Sequence, residues 1–215
     1  MAVFQDPVSP ANIARVESVG AVRTVVQPVG EAYAVGGQTT TIAAGLASLA
    51  TVWLMRMATG AGSRVARVDR IRLQYTTILV YTVPLTVGRR LALFRGTSSS
   101  PVTSGGAALD PNPPKALTMG SSSFDSAAGG DVRIATTAAL VTTNVTFEAM
   151  PLKIMTLAHV GNAGNFYEVV LDFQDHPLTL RAGEVLAIRA GQVFDAGGTW
   201  QLGVNSEWRE ETPMV

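Results

Sequence analysis

The stretch Leu178 to Glu210, LTLRAGEVLAIRAGQVFDAGGTWQLGVNSEWRE, decides the fold class, because it reads as β structure from end to end. Leu178 and Leu180 alternate with Thr179 and Arg181, and Ala182-Gly183 then supplies a turn where glycine adopts positive φ without a Cβ clash. Alternation resumes, with Leu186 and Ile188 on one side and Ala187 and Arg189 on the other, until Gly197-Gly198 breaks it again. In the last strand Trp200, Leu202, Val204 and Trp208 share one parity while Gln201, Asn205 and Arg209 take the opposite one, the pattern of a half-buried antiparallel strand.

Upstream the same grammar recurs. Ala50 to Met57 alternates Val52, Leu54 and Arg56 against Trp53, Met55 and Met57, after an alanine-rich start at Thr39 that reads as a helical turn. Val68 to Val80 sets Ile71, Leu73 and Tyr75 against Arg70, Arg72 and Gln74, and Arg89 to Arg95 makes the next strand beyond a turn at Pro84 and Gly88. Val132 and Ile134, then Val145 and Phe147, alternate in turn. Lys153 to Val160 is apolar on both parities, which predicts a strand covered on both faces. Gly161-Asn162-Ala163-Gly164 reads as a hairpin loop answered by Asn165 to Phe173, with Tyr167, Val169, Leu171 and Phe173 inward and Glu168 and Asp172 outward.

Two segments break the pattern. Residues 1–38, punctuated by Pro7, Pro10 and Pro28 and closed by Gly30 and Gly36-Gly37, read as an extended arm in which only Val22 to Val26 resembles a strand. Two readings stay open for it: a disordered tail, or an arm lying on a neighbouring subunit, to which its valines (Val16, Val19, Val22, Val25, Val26) point. Residues 96–130, rich in Ser, Gly, Pro and Ala with Pro111, Pro113 and Pro114, read as a long loop projecting toward a partner. Eight to ten closely spaced strands, no long helix and no repeat predict an all-β fold, a jelly-roll-like sandwich of two antiparallel sheets with an extended N-terminal arm. The domain organisation that follows is an arm over 1–38 and one sandwich over 39–215, the latter carrying the 96–130 loop. The high strand count and the missing cysteine and tryptophan marks argue against an immunoglobulin-like sandwich.

Composition narrows the function. A chain of 215 residues buries roughly 70% of its unfolded surface, so no metal or disulfide is needed to hold it together. Hydrophobic residues make up 47% and charged residues 15%, and the formal net charge is zero, so no long-range field draws the chain to nucleic acid or an acidic membrane. Such a weakly charged surface draws its solubility from assembly. Cysteine is absent, which removes disulfides, thiolate metal sites and a cysteine nucleophile. The N-terminus lacks the pattern of a secretory signal. Ile42 to Met57 is apolar, but it is short and interrupted by Gly45, Ser48 and Thr51, which argues against a membrane span.

No chemistry-bearing constellation emerges, and neither catalytic, cofactor-binding nor metal-ligating residues are expected. The cupin metal site needs closely spaced histidines, whereas His159 and His176 are the only two here; His159 reads as a core histidine and His176 as a solvated turn residue. The serines of Ser98 to Ser100 and Ser121 to Ser123 have loop composition without a nucleophile elbow. Glu168, Asp172, Asp175, Glu184 and Glu207 read as outward carboxylates. Arg64, Arg67, Arg70 and Arg72, with Arg89, Arg90 and Arg95, form a potential basic patch, but without an interleaved aromatic platform they read as ion-paired or solvated. Trp53 and Trp200 fit core parities, and Trp208 is open between core and surface.

The runs VDRIRLQYTT with GRRLALFRG, HVGNAGNFYEVVLDF, and the ending from Pro177 resemble small jelly-roll virion proteins of tailed bacteriophages that decorate or cement a capsid. The likeness spans about residues 65–210 and rests on diffuse β patterns. It implies a non-enzymatic structural protein located in the virion, which binds the major capsid protein or another virion protein and stabilises the shell. It also implies a homo-oligomer, often a trimer at a local symmetry axis, without cofactor, nucleic acid or membrane. The alternative expectation is a carbohydrate- or receptor-binding jelly-roll module of a phage fibre or tail, with Trp208, Tyr33 and Tyr81 as the exposed aromatics it requires.

Overall fold

A computed structural model describes residues 3–5, 12–16, 22–26, 31–42, 45–81, 89–102, 105–111, 120–157, 166–194 and 197–211. The strands are β1 (Val3–Gln5), β2 (Asn12–Val16), β3 (Val22–Val26), β4 (Glu31–Gln38), β5 (Thr51–Arg56), β6 (Val65–Leu79), β7 (Arg89–Thr97) and β8 (Ala107–Ala108). They continue with β9 (Asp131–Ile134), β10 (Thr146–Phe147), β11 (Lys153–Leu157), β12 (Phe166–Asp172), β13 (Leu178–Leu180), β14 (Glu184–Ala190) and β15 (Thr199–Glu211). A single 3-10 turn, Ser126–Ala128, is the one helical element among the described residues.

The pairing follows one rule. Strands from the first half of the chain pair in reverse order with strands from the second half: β4 with β15, β5 with β14, β6 with β12 and β7 with β11, all antiparallel. Winding this long hairpin on itself sends alternate pairs to opposite sheets, which β15 with β6 and β14 with β7 then close. One sheet runs β12-β6-β15-β4, with β13 added on β6; the other runs β11-β7-β14-β5, with β10 also on β7 and β9 and β8 continuing beyond β5. This is a jelly roll, two antiparallel sheets packed as a sandwich.

The pleat supplies the core. Along β15 every second residue from Trp200 to Glu210 is buried, so Trp200, Leu202, Val204 and Trp208 meet Ile71, Leu73 and Tyr75 of β6 and, across the sandwich, Trp53, Met55, Leu91, Leu93, Leu186 and Ile188. Trp200 sits with its ring 5.3 Å from those of Tyr75 and Phe194.

Four sequence expectations change. Glu31–Gln38 belongs to the sandwich as an edge strand paired with β15, so the arm ends near residue 30; Gly36 and Gly37, read as its closing punctuation, lie inside that strand. Before it, β1, β2 and β3 form a three-stranded antiparallel meander, where a single strand was expected. Of the helical turn expected through the alanines after Thr39, Ala43 and Ala44 lie outside the described residues; residues 39–42 and 45–50 hold no helical element, and Ile42 bridges to Trp200. The described parts of 96–130 fold back onto the sheet instead of projecting: Val102 and Leu140 pack on the outer faces of Leu54, Val185 and Ala187, with Val145 and Phe147 alongside, and make a second small core. That cover explains why all six residues of β5 are buried although the strand alternates in sequence. Gly106 is required there, since at φ +62° a Cβ would strike Ile134 and Leu140.

A fifth change concerns β11. Apolar on both parities, it was expected to be covered on both faces, yet it lies at the edge of its sheet with Ile154 53% exposed. The Pro84–Gly88 turn, the Gly161–Gly164 loop and His159 lie outside the described residues.

Replacing Trp200 by Ala removes a fully buried ring that packs on Tyr75 and Phe194 and is expected to lower unfolding free energy by about 3–5 kcal/mol, measured by denaturant titration. A loss near zero would refute the inward placement.

Candidate functional site

Two buried polar clusters and two surface features are candidates. The first cluster lies where β15 ends beside the start of β4. Strict alternation carries Glu210 inward after Trp208, so a carboxylate enters the core. Its Oε1 accepts from Ser122 Oγ (2.6 Å), Ser123 N (3.0 Å) and Trp208 Nε1 (3.1 Å), and Arg64 Nη1 lies 3.6 Å from Oε2. Glu31 accepts from Gly120 N (2.7 Å) and from the Tyr33 hydroxyl (2.7 Å), with Arg64 Nη1 at 4.0 Å. Burial, then the Glu31 hydrogen bond, pushes the Tyr33 phenol well above its ordinary value. Tyr33 stacks on Trp208, and Phe124 meets the same indole edge-on.

Every oxygen of these two carboxylates faces a donor, so the arrangement suits clamping better than proton transfer. It ties segment 120–124 to β4 and β15. Glu210 went unweighed in the sequence, although one more step along the parity of Trp200 to Trp208 points to it.

The second cluster is Arg56 and Asp131, register partners on β5 and β9. Arg56 is buried and donates to Ser98 O (3.1 Å) and Gly129 O (2.7 Å), and burial lowers its pKa. Burial also raises the Asp131 carboxyl to about 6, against the opposing pull of Arg133, a Val102 backbone hydrogen bond and Arg56. Arg56 thus pins the two ends of the inserted segment to the sheet.

The sequence candidates disperse. His176 is exposed at a bend. Ser98 Oγ lies 2.7 Å from Ser100 O and 2.8 Å from Asn144 O, a loop contact. Glu168 and Asp175 are exposed, Asp172 and Glu207 flank Arg70, and Glu184 holds Arg95. Arg67 pairs with Glu211, and Arg89 lies over the Tyr81 ring at 3.3 Å. The arginine run is thereby largely engaged with carboxylates and an aromatic face. Trp208, Tyr33 and Tyr81 are all buried, so the exposed aromatics expected for a sugar site are not on the surface. Among the described residues no three His, Asp or Glu side chains converge as a metal site.

On the outer face of the β4-β15-β6 sheet, Gly37, Gln38, Arg72, Gln74, Gly203 and Asn205 line an open depression of about 410 Å³. Small residues lower its floor while amides rim it, and Gln38 bonds Gln201 across two strands. On the opposite outer face runs an apolar strip. Ile154 pairs in register with Ala92, and Ala92 with Arg189. The Arg189 guanidinium lies 4.0 Å above the Phe147 ring and donates to Leu49 O (2.8 Å). Met150 (76% exposed), Leu152 (44%) and Ile154 are exposed in β11 and the segment before it, as is Leu49 (46%) before β5, and Leu49 keeps a positive φ of 65° unusual for a bulky residue.

Two outcomes are expected. Glu210→Ala strands three buried donors and Arg64, and unfolding free energy should drop by about 3–5 kcal/mol in denaturant titration. Asp131 has a folded pKa above its ordinary value, so the folded state binds its proton more tightly and the group's contribution to stability falls as pH rises from about 4 to 6. The stability of the native chain relative to Asp131→Asn should therefore shrink across that window, by at most about 3 kcal/mol, and stay level above it. Urea midpoints of both proteins at pH 4, 5, 6 and 7 check this; a constant difference would contradict it.

No protein-family model, curated protein or solved structure matches the chain.

Proposed function

We propose that the chain is a non-enzymatic structural subunit of a bacteriophage virion, a capsid decoration or minor structural protein that assembles as a homo-oligomer on the major capsid protein or another virion protein. The observation that carries this reading is the group of exposed apolar side chains Leu49, Met150, Leu152 and Ile154 beside the edge strand β11. Contiguous exposed apolar surface beside an edge strand marks a contact site in a soluble protein. A zero net charge adds no repulsion between copies. The jelly roll is a recurrent architecture of capsid proteins, and the likeness of residues 65–210 to phage decoration proteins points the same way.

A second reading has its own observation. The amide-rimmed depression of Gln38, Gln74 and Asn205 offers paired donors and acceptors of the kind that sugar hydroxyls use, which suits a carbohydrate- or receptor-binding module of a fibre or tail.

Light scattering of the purified chain, alone and with phage capsids stripped of accessory proteins, tests the first reading. An oligomer, with a trimer the leading expectation, that sediments with the capsids is expected. A monomer that ignores capsids but is retained on a glycan array overturns it in favour of the second.

A further inference from the structure

On the outer face of the β12-β6-β15-β4 sheet the register sets Gln74, Gly203 and Gln38 in one row across the strands and Arg72, Asn205 and Gly36 in the next, and none of these six is buried. Gly203 thus lies between two amides and opens the depression of about 410 Å³. A Cβ there would stand 3.5 Å from Gln74 Cβ, an ordinary contact, so the fold itself admits a larger residue. Gly37 differs, because a Cβ there would strike Leu109 at 2.7 Å and packing alone accounts for it. A strand-interior glycine that packing does not require marks a place where something from outside approaches the backbone closely. A second depression of about 410 Å³ meets the first at Asn205, so the floor runs on past Gly36 toward Ala34.

The lining is polar and mostly uncharged. Gln74 and Asn205 each present donors and an acceptor, and Gln38, whose amide donates to Gln201, adds a carbonyl; adjacent hydroxyls of a sugar return that pairing. Arg72 forms no ion pair or hydrogen bond among the described residues, whereas Arg70 and Arg209 on the same face are held by carboxylates. Its donors are therefore free for a ligand. That ligand is not acidic, because Glu168, Asp172 and Glu207 are diagonal neighbours of Arg72 on the flanking strands and repel an anion.

The aromatic surface on which a sugar ring stacks comes not from Trp208, Tyr33 or Tyr81 but from Phe166, 68% exposed on β12. By register Phe166 is the diagonal neighbour of Gln74, within reach of the same bound chain. Four residues of β12 separate Phe166 from Val170, the partner of Arg72, a span of about 14 Å. One sugar ring does not bridge that span, so a ligand that meets both ends is an oligosaccharide.

We infer that this face binds a neutral oligosaccharide, with Phe166 stacked on one ring and Gln74, Arg72, Asn205 and Gln38 bonding the hydroxyls of the next above Gly203. This rests on the carbohydrate-binding reading of the depression and names the ligand class, the ring contact and the need for more than one sugar.

An array carrying neutral gluco-, galacto- and manno-oligosaccharides of increasing length, beside their monosaccharides and uronic-acid counterparts, is probed with the full chain and two variants. Neutral oligomers are expected to be retained, and monosaccharides and uronates are not. Phe166→Ala is expected to lower affinity about tenfold, the loss of one stacked ring. Gly203→Val lowers it at least as far while the urea midpoint does not fall, since the fold has room for a Cβ there. Uronates retained in preference to neutral sugars, or native affinity in either variant, would overturn the site and leave the carbohydrate-binding reading standing. An array on which no glycan is retained would overturn both.

Discussion

The thirteen residues of β15 hold one sheet together, because this strand is hydrogen bonded along its whole length to β6 and over eight residues to β4. Its inward residues pass without interruption from Trp200, at the centre of the aromatic contacts, to Glu210, the acceptor for the inserted segment. A one-residue slip would turn both tryptophans to solvent and Gln201 and Asn205 inward, so the hydrophobic pattern fixes the register. The reverse-order pairing of the earlier strands closes around it.

Covering a sheet on its second face demands a different solution. The insertion between β7 and β11 lays Val102, Leu140 and Phe147 on β5 and β14. In doing so it buries Arg56 and Asp131, whose cost is offset by carbonyls of Ser98 and Gly129 and by mutual attraction. The Glu210 and Glu31 carboxylates perform the corresponding task between those two points, gripping backbone amides of Gly120 and Ser123. Buried charge in this protein therefore anchors a segment of poor hydrophobicity that could not hold its place by apolar contact alone. The cover stops short of β11, and the outer face left bare there is the apolar strip. Leu49, held at positive φ with its carbonyl on Arg189, contributes to that surface at a conformational cost.

Much of this was legible in the residues, and the reasons are local. Alternation in Val68 to Val80 and in Thr199 to Glu211 set which side chains enter the core, since a pleated strand has only two faces. Repeated short strands with glycine breaks set the all-β class. The same local logic misjudged Trp208 as undecided, Tyr33 and Tyr81 as exposed, and Gly36-Gly37 as the end of an arm, because each needed knowledge of the strand beside it. Glu210 was within reach of the parity rule and was hidden only by its charge.

What the sequence by itself determined is the β architecture, the two faces of the long strands and the absence of any thiol chemistry. Tertiary structure alone decided that residues 31–38 join the sandwich, that the serine-rich segment folds back over β5, and that β11 lies at an edge with Ile154 exposed. The physical reason is range. Alternation is a property of neighbouring residues, whereas coverage of a face depends on which distant segment reaches it, and a strand apolar on both sides reads alike whether its cover comes from its own chain or from another.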